Sequence, residues 1–195
     1  MDIKNYFNPL IPEELDFYSS EHSSNLLGDS IMIYQDKSPF PDLENASIVI
    51  IGVPEEKNAY NNLGCSEAPN EVRKQLYQLY KHPNMPIIVD LGNLKIGKTA
   101  NDTYVALSDI LAELIQAGLT IVIIGGSQDI TYANYCAYEQ LNQIINIVSI
   151  DSKFDIGNEE HAFNSKSYLH KIILKQPNFL FNYSNLGYQT YIVDN

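Results

Sequence analysis

From about residue 47 the chain alternates short, dense apolar runs with amphipathic stretches, and before that point it does neither. Ser47-Ile48-Val49-Ile50-Ile51-Gly52-Val53 is an unbroken run of mostly β-branched residues, the pattern of a strand buried on both faces of a parallel sheet, and Pro54 ends it. A polar loop over 55–67 leads to Ala68-Pro69-Asn70-Glu71, which reads as a helix start followed by Val72, Leu76, Leu79 and Tyr80 at helical spacing. Ile87-Ile88-Val89-Asp90 predicts a short strand running into a turn at Leu91-Gly92-Asn93-Leu94. Residues 99–118 predict an amphipathic helix with Val105, Leu107, Ile110, Leu111, Leu114 and Ile115 on its apolar side and Gly118 as its C-cap. Then come a strand over 119–124, a helix over 130–141, a buried strand over 144–150, a helix over 165–175, a short apolar stretch over 178–181 and a strand-like run over 188–193. Repeated alternation of strand and helix predicts an α/β fold: a three-layer α/β/α, doubly wound, mainly parallel sheet. Residues 1–45, rich in Asn, Ser, Pro, Asp and Glu with isolated aromatics at Tyr6, Phe7, Phe17 and Tyr18, read as an irregular arm with few regular elements, and 46–195 as one α/β domain.

Charge and composition narrow the function classes. The 195 residues are 45% hydrophobic, enough for one real core. Twelve basic against twenty-four acidic residues leave a net charge of −12, which disfavours general attraction to nucleic acid or anionic lipid. No run approaches the roughly 18 apolar residues that span a bilayer, and Met1-Asp2-Ile3-Lys4-Asn5-Tyr6 lacks the build of a signal peptide, so a cytoplasmic location is expected. Cys65 and Cys136 are too few and too far apart for a disulfide framework or a cysteine zinc site, and read as ordinary thiols. His22, His82, His161 and His170 lack the i, i+4 spacing of a helical metal pair and read as surface or capping residues. Fourteen tyrosines, with Tyr132, Tyr135 and Tyr138 along one predicted helix, suit core and interface packing better than base stacking in so acidic a chain.

In open α/β sheets ligands bind beyond the carboxyl ends of the strands, which directs attention to the loops starting at Gly125 and Asp151. Asp151 and Asp155, two carboxylates in a turn leaving a strand, could converge on one cation, although composition alone favours one of them capping the following segment through local hydrogen bonds. Gly125-Gly126-Ser127 could offer backbone amides to a phosphate, yet it lacks both the G-x-G-x-x-G spacing and the lysine of a P-loop, and two consecutive glycines also mark a tight strand-to-helix turn.

The order of motifs resembles the ureohydrolase family of arginase, agmatinase and formimidoylglutamase, and most of all its formimidoylglutamase-like branch, over about residues 47–195. Ile51-Gly52-Val53-Pro54, the loop from Asn62-Leu63-Gly64 to Ala68-Pro69 with Val72-Arg73 beyond, and Asp90-Leu91-Gly92-Asn93-Leu94 carry the first part. Gly125-Gly126-Ser127-Gln128-Asp129 stands where the family has Gly-Gly-Asp-His-Ser, and Asp151-Ser152-Lys153-Phe154-Asp155 where it has Asp-Ala-His-x-Asp. The resemblance implies an arginase-like fold and a pair of manganese ions activating a bridging hydroxide against an amidine or guanidine carbon. Position by position, Asp151 and Asp155 retain two carboxylate ligands, whereas Gln128 and Lys153 occupy the histidine positions, and the later Ser-x-Asp-x-Asp turn has no match before Asn195. An amide is a poor donor to a divalent metal and an ammonium offers no lone pair, so manganese is implied by the family and not expected to bind in this chain. The expectation is instead that Lys153 pairs with Asp151 and Asp155, with Gln128 hydrogen-bonding beside them.

Three functions remain on these residues: a metal-dependent hydrolase of linear amidine C–N bonds, a non-catalytic domain of the same descent binding a small amidine or guanidine ligand or a protein, and nucleotide binding at the Gly125-Gly126 turn. The strand-like run over 188–193 with no helix after it predicts an uncovered edge, and with it a homo-oligomer or the remainder of a longer chain.

Overall fold

The structure, a computed structural model, describes residues 2–15, 25–157 and 163–192. In chain order its strands and α-helices are β1 (Phe7–Asn8), β2 (Met32–Ile33), β3 (Ile48–Val53), α1 (Ala68–Leu76), β4 (Ile88–Leu94), α2 (Ala100–Gln116), β5 (Thr120–Gly125), α3 (Thr131–Gln140), β6 (Ile145–Ile150), α4 (Tyr168–Leu174) and β7 (Leu180–Leu186). The α/β alternation is as the hydrophobic pattern predicts, and the strands β2 to β5 are mutually parallel where they pair.

β3 lies between β4 and β5, and this central position explains its unbroken apolar sequence: Val49, Ile50, Ile51 and Val53 are all buried. One side of the sheet is closed by α2 and α3 through Leu107, Ile110, Leu111, Leu114, Ala133 and Ala137, and the other by α1 and the arm through Tyr77, Leu10, Leu15 and Ile31. Thr99 caps α2 with a full capping box, its hydroxyl accepting from the Asp102 amide and the Asp102 carboxylate accepting from the Thr99 amide. At the other end the C-cap is Ala117, and Gly118, which the sequence marks as the cap, follows it with a positive φ of 80°.

Four details depart from the sequence reading. The stretch 91–94 is no turn but the second half of β4: Gly92, at φ 81°, lets the strand pass a bulge opposite β3 and continue. α1 stops at Leu76, so Leu79 and Tyr80 are exposed beyond it, and the buried aromatic of that segment is Tyr77. Val105 lies on the solvent side of α2 at 53% exposure. The run over 188–193 forms a 3-10 turn at Thr190–Ile192, Val193 lying outside the described residues, and among the described residues no strand forms there. The arm contributes the short strands β1 and β2, both on β4, and Phe7, packed with Tyr34 and Phe40, is its anchor; Phe17 and Tyr18 lie outside the described residues.

The sheet is also divided. β6 and β7 pair in parallel with each other and, among the described residues, with no other strand, while β5 pairs only with β3. Tyr135, Tyr168, Leu169 and Ile172 cover one face of the β6–β7 ribbon. Among the described residues nothing covers its other face, where Val148 is 63% and Ile150 87% exposed, so β6 is not the fully buried strand its composition predicts.

Candidate functional site

Three chain segments meet beyond the carboxyl ends of β3, β5 and β6. After β3, Glu55 turns inward and is buried; it accepts hydrogen bonds from the Thr103 hydroxyl at 2.7 Å and the Lys57 amide at 2.8 Å, and pairs with the Lys57 ammonium at 3.1 Å. After β5, the Gly126 and Ser127 amides donate to the carbonyls of Val53 and Glu55, both at 2.8 Å, which docks the turn on β3. A Cβ at Gly126 would collide with the Glu55 carbonyl oxygen, a close backbone approach that only glycine permits. Because those two amides are already satisfied, the turn offers no cradle to a phosphate, and the nucleotide reading of Gly125-Gly126-Ser127 loses its physical basis.

A buried clasp then fixes the residues that follow. The Asp129 carboxylate accepts hydrogen bonds from the hydroxyls of Tyr104 and Ser127, and Asn58 donates to the Tyr104 oxygen at 2.8 Å. Burial, followed by the bond to Asp129, drives the Tyr104 hydroxyl well above the ordinary tyrosine range, so it stays a donor at any physiological pH. With Asp129 held inward, Gln128 projects the other way, and its Nε2 donates to Asp151 Oδ2 at 3.1 Å.

Asp151 leaves β6 with its carboxylate tied down: Oδ1 accepts from the Lys153 amide at 3.2 Å and the Ser152 hydroxyl at 3.4 Å. Burial opposes its charge, but the bonds from Gln128, Lys153 and Ser152 outweigh burial and hold this carboxyl below the usual range. Asp155 is the opposite case. It is only 6% exposed, its Oδ2 finds no hydrogen-bond partner, and burial, reinforced by the negative charge of Asp151, pushes its carboxyl up to about 6, Lys153 and Lys166 opposing. A raised folded-state value means that stability is fully present below the unfolded value near 3.8 and is lost as pH rises through about 6. The loss should be on the order of 2–3 kcal/mol and be absent in Asp155→Asn, which urea midpoints of the two proteins between about pH 4 and pH 7 would measure.

Of the four residues singled out in the sequence, Gln128 and Asp151 are thus joined directly and Asp155 lies beside them in one cleft, which Tyr60, Asn62, Ser127, Ser165 and Lys166 also line. The expected ion pair is not formed: Lys153 lines the cleft, but it reaches Asp151 only through its backbone amide, and its carbonyl is held by the Asn185 side chain at 2.7 Å. Lys166 is occupied elsewhere, its ammonium 4.2 Å above the Tyr60 ring. Among the described residues no three His, Cys, Asp or Glu side chains cluster to hold a metal, and Gln128 spends its amide nitrogen on the carboxylate a metal would need. Glu159, Glu160 and His161, close in sequence, lie outside the described residues, as does His22.

A second cluster joins residues that the sequence offers only as separate parts of the resemblance, with no sign that they meet. Arg73 on α1 is completely buried and makes a bidentate pair with Asp90 of β4, Nε and Nη2 each donating at 2.9 Å, while Nη1 donates to Asn93 Oδ1 at 2.6 Å and Nη2 also to the Gly92 carbonyl at 3.0 Å. Tyr77 completes it by donating to Asp90 at 2.7 Å. Asp90, which closes the predicted strand in the sequence, is the centre of this network, and a Cβ on Gly52 of β3 would collide with it.

Residues 46–191 match the model of the Arginase family. Formimidoylglutamase of Hahella chejuensis is 24% identical over 157 residues, which cover 75% of this chain and 48% of that protein; formimidoylglutamase of Geobacillus thermodenitrificans is 27% identical over 142 residues, 69% of this chain and 44% of that one. The chain therefore spans about half the length of the curated relatives it matches. Among solved structures, formimidoylglutamase from Bacillus subtilis superposes with a TM-score of 0.74 at 17% identity over 94% of this chain and 61% of its own, and Trypanosoma cruzi formiminoglutamase with Mn2+ with a TM-score of 0.62 at 20% identity over 69% and 50%. The superpositions agree with the parallel α/β architecture and the family model covers most of the sequence: the chain belongs to the arginase family.

Proposed function

We propose that this chain is an arginase-family domain, related to manganese hydrolases of linear amidine C–N bonds, whose own residues no longer assemble the metal pair and which serves as a binding module in the cytoplasm. The observation that carries this reading is the hydrogen bond from Gln128 to Asp151, since it puts an amide donor against a carboxylate at a position where the family pattern has a metal-binding imidazole. The flanking Lys153 adds a positive charge at the other imidazole position. With manganese supplied, the chain is expected to show no turnover of formimidoylglutamate, agmatine or arginine. Hydrolysis that rises with manganese and disappears in Asp151→Asn would overturn the reading.

A second reading is that the domain works as a hydrolase only when joined to further polypeptide, and the divided sheet favours it. β5 and β6 each keep an edge without a strand partner among the described residues, and the β6–β7 ribbon exposes Val148, Ile150 and Leu186 on one face. Such edges and faces are stable in water when another segment covers them, supplied by a second copy or by more of the same chain. Among the described residues no helix is long and apolar enough to cross a membrane.

A further inference from the structure

Two lysines four residues apart, on α4 and at its C-cap, sit in opposite surroundings. Lys171 stays exposed as a residue, yet its Nζ lies 4.2 Å from the centroid of the Tyr132 ring and 4.4 Å from that of Phe163. Among the described residues no carboxylate, carbonyl or hydroxyl accepts a hydrogen bond from that ammonium. Tyr132, Phe163 and Tyr104 stand edge to face with one another, with centroids 5.6, 5.7 and 6.3 Å apart, so the rings hold each other as a wall. Lys175, by contrast, pairs with Glu139 and reaches the Tyr132 hydroxyl at 3.4 Å. Neither lysine lines the Asp151–Asp155 cleft, and nor do the three rings.

We infer that Lys171 is a nucleophilic amine that condenses reversibly with a small aldehyde or ketone, forming an imine against the Tyr132 and Phe163 rings. An ammonium needs acceptors for three N–H groups, and the rings offer only their π faces, so the charged amine is poorly solvated there. Shielding from water pulls Lys171 below the ordinary lysine range, with Cys136 opposing and the Lys175 charge adding to the effect. Shielding acts on Lys175 too, but Glu139, Cys136 and Tyr132 outweigh it and hold that ammonium above the range. Two amines pushed apart in this way divide the roles: Lys171 supplies a lone pair, and Lys175 remains a fixed positive charge beside it. The Lys171 ammonium first gives one proton to solvent, and its nitrogen attacks the carbonyl carbon while the C=O π pair moves to oxygen. The nitrogen passes a second proton to that oxygen, solvent returns the first, and the C–O bond breaks to release water. The sum is one ammonium and one carbonyl giving one iminium and one water. That iminium keeps the charge with one N–H in place of three, which suits the ring faces better than the ammonium does.

Wild-type protein is treated at neutral pH with propionaldehyde and sodium cyanoborohydride, which fixes each imine as a stable secondary amine, and alkylation of the individual lysines is followed over time by peptide mass spectrometry. Lys171 is expected to be alkylated roughly tenfold faster than the exposed Lys81 and Lys98 of the same chain. Lys175→Gln, which removes the neighbouring positive charge, and Phe163→Leu, which removes one ring, should each lower the Lys171 rate by roughly threefold or more and leave Lys81 and Lys98 unchanged. Circular-dichroism melts check that both variants fold; Lys175 is partly exposed at the end of α4, so its substitution keeps the test available should loss of the ring damage the fold. A Lys171 rate no higher than that of Lys81 and Lys98, or an excess that survives Lys175→Gln, overturns the inference.

Discussion

Arg73→Ala is expected to lower the unfolding free energy by about 3–5 kcal/mol, the largest single-residue effect in this domain, because it strands the buried Asp90 carboxylate without its partner. The guanidinium makes four hydrogen bonds that tie α1 to the bulge of β4, and its loss also leaves Asn93 Oδ1, the Gly92 carbonyl and the Tyr77 hydroxyl in a disrupted network. Arg73→Lys is not a conservative rescue, since one ammonium cannot span both Asp90 oxygens and reach Asn93, and it should retain well under half of the lost stability. Removing both charges at once in Arg73→Met, Asp90→Leu should cost less than Arg73→Ala alone, as no buried ion is left behind. Urea unfolding of wild type, Arg73→Met, Asp90→Leu and the double variant, analysed as a double-mutant cycle, reads this coupling; a double variant as damaged as the sum of the two singles would sink the idea.

The second large effect is expected at Asp129. Its carboxylate receives the Tyr104 and Ser127 hydroxyls in the interior, and Asp129→Ala leaves both donors without their acceptor, at a cost of about 2–4 kcal/mol. The same clasp aims Gln128, so the variant should also weaken the Gln128–Asp151 contact across the cleft. Asp129→Asn, which keeps one acceptor oxygen, should cost less. Thermal melts of the two variants, with the Gln128 side-chain amide followed by NMR, would check both parts; an Asp129→Ala protein as stable as wild type with an unshifted Gln128 signal would refute the positioning role.

These two networks mark where reading the sequence stopped working. Apolar periodicity locates β3 and α2 because each is defined by what it buries, and the turns at 125–129 and 151–155, which carry the resemblance, line one cleft. The same logic misled wherever a residue's burial depends on distant chain. Leu79 and Tyr80 continue the helical spacing of α1 but lie past its end, and Val148 and Ile150 look like core yet face no covering layer. Buried polar residues give no periodic signal. Arg73 enters the sequence reading only as part of the resemblance, with nothing in its neighbours to mark it as buried, and only the fold brings Asp90 and Asn93, seventeen and twenty residues further on, to its three donor nitrogens. Lys153 fails for a related reason: adjacency in sequence to two aspartates suggested an ion pair, but the turn presents its amide, not its ammonium, to Asp151.

The central claim, that two retained carboxylates remain while the metal chemistry at Gln128 and Lys153 has been replaced, is tested most directly by metal content. Wild-type protein purified without chelator and dialysed against manganese is compared by mass spectrometry with Gln128→His, Lys153→His. Restoring both imidazoles supplies the nitrogen donors that manganese lacks here, so the double variant is expected to retain clearly more manganese than wild type, which should hold well below one ion per chain. Stoichiometric manganese in the wild type, unaffected by the two substitutions, would contradict the account and return the chain to the metal-dependent hydrolases.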